Sequence, residues 1–361
     1  MTNDPNEQTE HNDQEGRDAN MNGKECFFNF AVPLFAALLI LIASGCASGR
    51  QLSLWNDNAP ARNALIEYVN AVTDEDSADY IPVKSRIAVF DFDGTLFLET
   101  DPTYFDWMLF SHRVLEDPNY HASDEMIAAA KAAQNGQMPK LDKNRERMVS
   151  EAYQGMTLDE FDAYVRNFMA EDQPGFIGLK RGGAFYRPMI EVVNYLRDNG
   201  FTVYVISGTD RLTVRPLLDI LCLPPTQILG SDSTIVSDHQ TGDALDYVFV
   251  KGDTLKLGGE NLVKLLQMNK VSAIVREIGA KPVLAFGNTM SDASMLNYTI
   301  NDNPYRALGF MLLCDDLERE YGNMKKADDM RRDCAHYGWI PVSMRDDWKT
   351  IYGDGVEKRK R

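Results

Sequence analysis

Continuous apolar runs alternate with amphipathic segments along most of the chain. Ile87–Phe90 is an uninterrupted apolar run, typical of parallel strands covered by helices on both faces, and Phe201–Ile206 is interrupted only by Thr202. Between them, apolar residues recur at helical spacing, as in Pro188–Asp198, which is followed by Gly200 at a left-handed cap position. This alternation predicts an α/β fold with a doubly wound parallel sheet and a Rossmann-like core.

Other segments extend the same pattern. Residues 282–286 and 307–314 are predicted strands, and residues 271–279 a short helix. We expect a first helix to begin just after Asn58, which can cap it, with Pro60 in its first turn.

A long segment between the first two predicted strands has a different pattern. Residues 124–134 and 157–171 are helical in pattern, and no strand is predicted between them, so we expect residues 103–180 to form a helical insertion. The predicted domain organisation is a leader with signal peptide at 1–46, a tether with the first helix at 47–84, the core at 85–102 and 181–345, the insertion at 103–180, and a tail at 346–361.

Composition narrows the possible partners and metals. The 361 residues carry a formal net charge of −17, which argues against nucleic-acid binding because that needs a basic surface. The five cysteines include no C-x-x-C pair, so we expect no zinc site. Cys314 and Cys334 form a disulfide or remain free thiols, and both alternatives stay open.

The N-terminal region resembles an export signal. An apolar segment, Phe27–Ile42, is followed by three small residues and then Cys46, which resembles the lipobox of bacterial lipoproteins. We expect Cys46 to be lipidated and the protein to be exported and anchored to a bacterial membrane. An uncleaved membrane anchor is the alternative. The acidic leader before this signal suggests that translation begins at Met21 instead of Met1.

Polar residues follow each predicted strand where a ligand would bind. Ligands of open parallel sheets lie beyond the carboxyl ends of the strands. The residues at these ends are Asp91 and Asp93, then Ser207 and Gly208, then Asn288 and Asp292, with Lys270 on the short helix before the last pair. Any one of them alone is an ordinary turn or surface residue. Their order and common placement point to one site.

These residues resemble the motifs of the haloacid dehalogenase superfamily, in its phosphoserine-phosphatase-like branch. The segment 91–96 resembles the first motif, Ser207 the second, Lys270 the third and residues 287–292 the fourth. The resemblance covers roughly residues 84–315 and implies that the insertion is a cap domain.

The residues support the chemistry that this resemblance implies. Asp91 would attack phosphorus and form an aspartyl-phosphate, and Asp93 would act as acid and base. Ser207, Gly208 and Lys270 would hold the phosphoryl oxygens. Mg²⁺ would be held by Asp91, Asp93 and Asn288, with Asp292 behind them.

Two positions bear on which members of the superfamily this chain resembles. Asp93 points to phosphate-ester hydrolysis, because dehalogenase members lack this aspartate and transport ATPases carry threonine there. Asn288 departs from the aspartate more common in this branch, which would weaken metal binding.

The substrate is predicted only as a small phosphorylated metabolite. A substrate amine would be bound by the carboxylates of Glu99 and Asp101 and by the aromatic residues that follow them, Tyr104, Phe105 and Trp107. The alternative is that these aromatic residues pack in the core of the cap. The basic segment 140–148 is predicted to be a solvated face. The alternative functions are a phosphotransferase or mutase and an inactive lipid-anchored binding protein. We expect a monomer or dimer.

Overall fold

A seven-stranded sheet is built around the apolar run predicted as the first strand. The computed structural model describes residues 52–140 and 142–360. The strands in these ranges are β1 Ile87–Phe90, β2 Phe176–Ile177, β3 Thr202–Asp210, β4 Ile228–Ser237, β5 Leu255–Val263, β6 Leu284–Gly287, β7 Leu308–Leu313, β8 Ile340–Ser343 and β9 Glu357–Lys358. The sheet order is β5-β4-β3-β1-β6-β7-β8, and all neighbours are parallel except β4 and β5.

Helices cover both faces of this sheet. They are α1 Pro60–Thr73, α2 Phe105–Leu115, α3 Asp124–Gln134, α4 Lys143–Glu151, α5 Leu158–Met169, α6 Arg187–Asp198, α7 Arg211–Leu217, α8 Met268–Ala273, α9 Ala293–Ile300 and α10 Met324–Tyr337. Ala88 and Phe90 of β1 join the apolar cluster that contains residues of α1 and α6, whereas Ile87 and Val89 join the one that contains residues of α8, α9 and α10. The predicted doubly wound α/β fold is confirmed.

The register of the central strands brings the predicted site together. Phe90, the last residue of β1, lies opposite Val205 of β3 and Phe286 of β6. The rings of Phe90 and Phe286 stack with centroids 4.3 Å apart. Because these strands run parallel, the residues that follow each of them leave the sheet at the same edge.

The insertion after β1 is helical, as predicted, and contributes α2 to α5. Thr157 caps α5 with a capping box, in which its hydroxyl accepts from the Glu160 N–H and the Glu160 carboxylate accepts from the Thr157 N–H. A short strand that was not predicted lies near the end of this insertion. Phe176–Ile177 forms β2, which pairs with the C-terminal β9.

An antiparallel arm, formed by β4 and β5, was not predicted. The first residues of β4 pair with β3, and from Asp232 onward the strand pairs with β5 and mixes polar with apolar residues. The arm contacts the cap through reciprocal backbone hydrogen bonds, from Gly155 N to Leu257 O and from Leu257 N to Met156 O, each 2.9 Å long. Its polar, glycine-containing sequence conceals the strand pattern.

Both ends of the described chain are packed, which differs from the predicted tether and tail. Trp55 and Trp348 are buried and meet edge to face, with ring centroids 5.9 Å apart. Apolar surface therefore holds residues 52–57 and 346–352 against the core. Helix α1 begins at Pro60 with Ala59 at its N-cap position, so Asn58 does not cap it.

Three further sequence predictions concern covalent and membrane features. Cys314 and Cys334 are buried free thiols and form no disulfide. In the ranges 52–140 and 142–360, no helix combines the length and apolar character needed to cross a membrane. The signal peptide, Met21 and Cys46 lie outside the described residues.

Candidate active site

Two aspartates follow β1 in a tight turn at the edge of the sheet. Asp91 and Asp93 are 7% and 8% exposed, respectively, and line one cavity of about 390 Å³. Gly94 makes the turn possible, with φ at +77°. A Cβ at this position would lie 1.8 Å from the side-chain nitrogen of Asn288, so another residue would collide with the fourth motif.

Lys270 lies behind Asp91 and is completely buried. Its ammonium donates to Asp91 Oδ1 at 2.5 Å, to Asp292 Oδ1 at 2.6 Å and to the carbonyl of Ile206 at 2.8 Å. Burial alone would lower the pKa of Lys270, but the charges of Asp292 and Asp91 outweigh it and raise this pKa. Lys270 is therefore a fixed positive charge beside Asp91.

Asp292 holds this lysine and also organises the fourth motif. Its Oδ1 accepts from Lys270, and its Oδ2 accepts from the backbone N–H groups of Asn288 and Thr289 at 3.1 and 3.2 Å. Asp292 is completely buried and is not among the side chains that line the cavity. Asp292 therefore lies behind the cavity, the position expected from the sequence, where it contacts Lys270 and the backbone of Asn288.

The two aspartates of the turn have different surroundings. Burial raises the pKa of Asp91 to about 7; the carboxylate of Asp292 adds to this rise and Lys270 opposes it. Burial, followed by the negative charges of Asp106 and Asp91, raises the pKa of Asp93 well above its usual range. Asp91 has a cation against it and Asp93 has none within ion-pair distance among the described residues. Lys270 therefore favours ionisation of Asp91, and no cation in the described part of the chain does the same for Asp93.

Thr209, which the sequence reasoning missed, holds Asp93 in place. Its hydroxyl donates to Asp93 Oδ2 at 2.8 Å, and its backbone N–H donates to the hydroxyl oxygen of Ser207 at 3.0 Å. Ser207 is fully buried at this edge, while Gly208 lines the cavity. The spacing of Thr209 two residues after Ser207 on an extended strand was the available signal.

Of the two predicted substrate carboxylates, only Glu99 reaches the cavity. Its Oε1 lies 2.5 Å from the ammonium of Lys326, on α10, so it is already paired with a cation. The other, Asp101, lies elsewhere: its carboxylate accepts from Gly175 N at 2.6 Å and from Gln173 Nε2 at 3.0 Å. Asp101 therefore has a structural role at the end of the cap.

The cap and the arm add further side chains that line the cavity. Asp106 of α2 and Arg145 of α4 come from the cap, and Lys264 follows β5. Arg145 belongs to the segment predicted to be a solvated basic face, but its guanidinium lies over the ring of Trp107, 5.2 Å from the centroid. The prediction is wrong for Arg145, because the packing of the cap on the core directs it inward.

The aromatic residues at the start of the cap divide between core and cavity. Phe105 and Trp107 are buried, as the core-packing alternative predicted, and only Tyr104 lines the cavity. The cluster Asp238, His239 and Asp253 lies on the arm, outside this cavity.

Solved structures of similar proteins were found by structural comparison. A functionally unknown protein from Anaerococcus prevotii matches with 14% identity and a TM-score of 0.47, over 78% of this chain and 91% of that one. A cytosolic 5'-nucleotidase IIIB bound to cytidine matches with 13% identity and a TM-score of 0.48, over 81% and 90%. A phosphoserine phosphatase in apo form matches with 14% identity and a TM-score of 0.37, over 73% and 95%.

The family comparison covers the part of the chain that builds this site. A search of curated proteins gives no significant match. The model of the haloacid dehalogenase-like hydrolases matches residues 88–297, which include the turn of Asp91 and Asp93, the cap, Lys270 and the fourth motif. The match spans more than half of the 361 residues. The chain therefore belongs to the haloacid dehalogenase-like hydrolase family.

Proposed function

We propose that this protein is a Mg²⁺-dependent phosphomonoester hydrolase that acts through an aspartyl-phosphate intermediate on a small phosphorylated metabolite. The observation that carries this proposal is the unequal environment of Asp91 and Asp93. Asp91 accepts from Lys270, a buried cation, whereas Asp93 accepts from the neutral hydroxyl of Thr209. One carboxylate is suited to attack and the other to proton transfer.

In the first step, a carboxylate oxygen of Asp91 attacks phosphorus and the bond from phosphorus to the ester oxygen breaks. Asp93 gives its proton to the departing oxygen, which leaves as an alcohol. In the second step, water attacks phosphorus and loses a proton to Asp93, and the bond between phosphorus and Asp91 breaks. Inorganic phosphate leaves, and both aspartates return to their initial protonation states.

The phosphoryl group would lie between the ends of β1 and β3. The proposed donors to it are Lys270, the hydroxyl of Ser207 and the backbone N–H of Gly208. Gly208 lines the cavity, and Lys270 and Ser207 are buried directly behind it. Positive charge and fixed donors stabilise the charge that spreads over the phosphoryl oxygens in the transition state.

The residues of the cavity fit a magnesium ion. The Asp91 carboxylate, the Asp93 backbone carbonyl and the Asn288 side-chain oxygen would hold it, all of them oxygen donors, as Mg²⁺ requires. Asn288 lines the cavity directly beside Gly94, whereas both oxygens of Asp292 are engaged elsewhere. When bound, the ion would neutralise negative charge so that a carboxylate can approach a phosphate dianion.

The proposed location is the bacterial cell envelope, through a lipid on Cys46. The lipobox-like sequence before Cys46 supports this location. Radiolabelled palmitate should label the wild-type protein in its host and not Cys46→Ala, and equal labelling of the two would contradict lipid attachment at this residue.

Hydrolysis of an aryl phosphate by the purified protein tests the proposed activity. We expect turnover of p-nitrophenyl phosphate that needs Mg²⁺ and stops with a chelator. Asp91→Asn should lower the rate by at least about a thousandfold, since loss of a covalent catalyst's nucleophile costs up to ~10⁶. The control is Asp159→Asn, which makes the same change at an exposed position of α5. Retention of more than about a tenth of the activity by Asp91→Asn would contradict the proposal.

A further inference from the structure

The cap supplies two side chains to the cavity that the proposed phosphoryl transfer does not use. They are Asp106 on α2 and Arg145 on α4. Asp106 is 8% exposed, and the side chain of Arg145 is 13% exposed. Because phosphorus must lie against Asp91 in the core, these cap residues border the part of the cavity left for the alcohol.

Asp106 presents an unused acceptor. Its Oδ1 is buried and has no hydrogen-bond partner among residues 52–140 and 142–360. A carboxylate oxygen only accepts hydrogen bonds, and a buried acceptor without a donor costs about 1–3 kcal/mol. The position therefore favours a ligand, or a water molecule, that brings a donor.

Arg145 presents an unused donor in the same cavity. Its Nε is buried, and no acceptor in the described part of the chain lies within hydrogen-bond distance. The closest carboxylate oxygen, Glu146 Oε1, is 3.7 Å away, which is too long for a hydrogen bond. The guanidinium is held in place over Trp107 and by donation to the Pro139 carbonyl at 3.2 Å.

A hydroxyl group can form hydrogen bonds with both Asp106 Oδ1 and Arg145 Nε. It donates to a carboxylate and accepts from a guanidinium, whereas an ammonium only donates and a carboxylate only accepts. A substrate ammonium could pair with Asp106 but would leave the Nε of Arg145 without an acceptor. An alkyl chain would leave both buried polar groups without partners.

We propose that Asp106 and Arg145 form a subsite for hydroxyl groups of the leaving alcohol, so that the substrate is the phosphate monoester of a polyol or sugar. This inference rests on the proposed hydrolase function and adds the substrate class to it. The cavity of about 390 Å³ is of the size that holds a compact metabolite.

The test compares the binding of glycerol 3-phosphate and propyl phosphate, which share a three-carbon chain and differ in two hydroxyls. Asp91→Asn serves as the background, with Mg²⁺ present, so that the esters bind without being consumed. Calorimetry gives dissociation constants, and both esters are measured at one pH. We expect glycerol 3-phosphate to bind at least about tenfold more tightly, because a site with unpaired polar groups rejects the analogue that lacks the hydroxyls.

Adding Asp106→Asn or Arg145→Gln to this background should reduce the preference to less than about threefold. The matched controls, Asp159→Asn and Arg147→Gln, alter exposed residues of α5 and α4 and should keep it. Thermal melting checks that each variant is folded. Equal affinity for the two esters, or a preference that survives both cap substitutions, would overturn the subsite and leave water as its only occupant.

Failure of the proposed hydrolase function can be told apart from failure of the hydroxyl subsite. Release of phosphate by Asp91→Asn would contradict the aspartyl-phosphate mechanism. The preference for glycerol 3-phosphate would then be measured by competition between the two esters, and it would still decide whether the subsite exists.

Discussion

At the scale of single residues, the site stores electrostatic strain in its two aspartates. Asp91 is buried close to the carboxylate of Asp292, and Asp93 is buried close to the carboxylates of Asp106 and Asp91. Among the described residues, the fully buried cation Lys270 contacts Asp91 and Asp292 but not Asp93. Such an arrangement costs stability in the folded protein, and it places unlike protonation states side by side. The cost should appear as a pH dependence of stability.

Asp93→Asn should stabilise the metal-free protein at alkaline pH. Because the pKa of Asp93 is raised by burial and by Asp106 and Asp91, the folded protein holds this proton after the unfolded chain has lost it. Stability therefore falls as pH rises from the usual carboxyl pKa near ~4 towards the raised value. Asparagine does not ionise, so the variant does not lose stability in this way. We expect its free energy of unfolding at pH 8 to exceed that of wild type by about 0.5–2 kcal/mol.

Chemical denaturation with a chelator present measures this effect between pH 4 and pH 8. Wild type and Asp93→Asn should converge towards pH 4, where Asp93 is protonated. A variant that is less stable than wild type at pH 8, or a difference that does not change with pH, would contradict the raised pKa.

Asn288→Asp should lower the Mg²⁺ concentration needed for half-maximal activity. The added negative charge at position 288 lies beside Gly94, in the turn that contains Asp91 and Asp93, and Mg²⁺ prefers an anionic oxygen as a ligand. We expect about a tenfold shift, or ~1.4 kcal/mol, without a required gain in maximal rate. A Mg²⁺ titration at low substrate measures it, with Asn301→Asp as a control for the same charge at an exposed position. An unchanged or higher requirement in Asn288→Asp would show that Asn288 does not bind the metal.

At the scale of elements, sequence patterns were informative where one physical signal dominates. The bounds of β1 follow from its continuous apolar run, and α3 spans 124–134 as predicted, between the Ser123 cap and Gly136. The arm of β4 and β5 was missed because its outer half is polar, partly exposed and paired antiparallel. Its position depends on tertiary contacts with the cap and not on local propensity.

The same distinction applies to the candidate site. Asp91, Asp93, Asn288 and Lys270 could be placed together because each follows or flanks a strand of a parallel sheet. Asp106, Arg145, Lys264 and Lys326 could not, because they reach the cavity only when the cap and α10 pack over the core. Asp101 was misplaced for this reason too, since its partners, Gln173 and Gly175, are more than 70 residues away in sequence.

Thr157→Ala should weaken the cap domain by removing half of the capping box of α5. Loss of the side-chain acceptor leaves the Glu160 N–H unpaired, which costs about 1 kcal/mol. Denaturant unfolding at neutral pH measures the change, and Thr157→Ser is the control because it keeps the hydroxyl. Equal stability of Thr157→Ala and Thr157→Ser would mean that the cap hydrogen bond contributes nothing to the folded protein.

At the scale of the whole molecule, the proposed activity divides between a core and its cap. In this proposal the core edge would supply the nucleophile, the acid and the phosphoryl donors, and Asp106 and Arg145 of the cap line the same cavity. The arm and the C-terminal strand tie the cap to the core, through Leu257 and through the pairing of β2 with β9. Reaction type and substrate choice are thus assigned to separate parts of the fold.

The most direct test of the central claim is to trap the phosphorylated protein. Wild type, mixed with a ³²P-labelled phosphomonoester and Mg²⁺ and quenched in acid, should carry label that is stable in acid and released by hydroxylamine, as an acyl phosphate is. The label should map to the peptide that contains Asp91 and be absent from Asp91→Asn. Turnover by wild type without any trapped label, or equal labelling of Asp91→Asn, would contradict the assignment of Asp91 as the nucleophile.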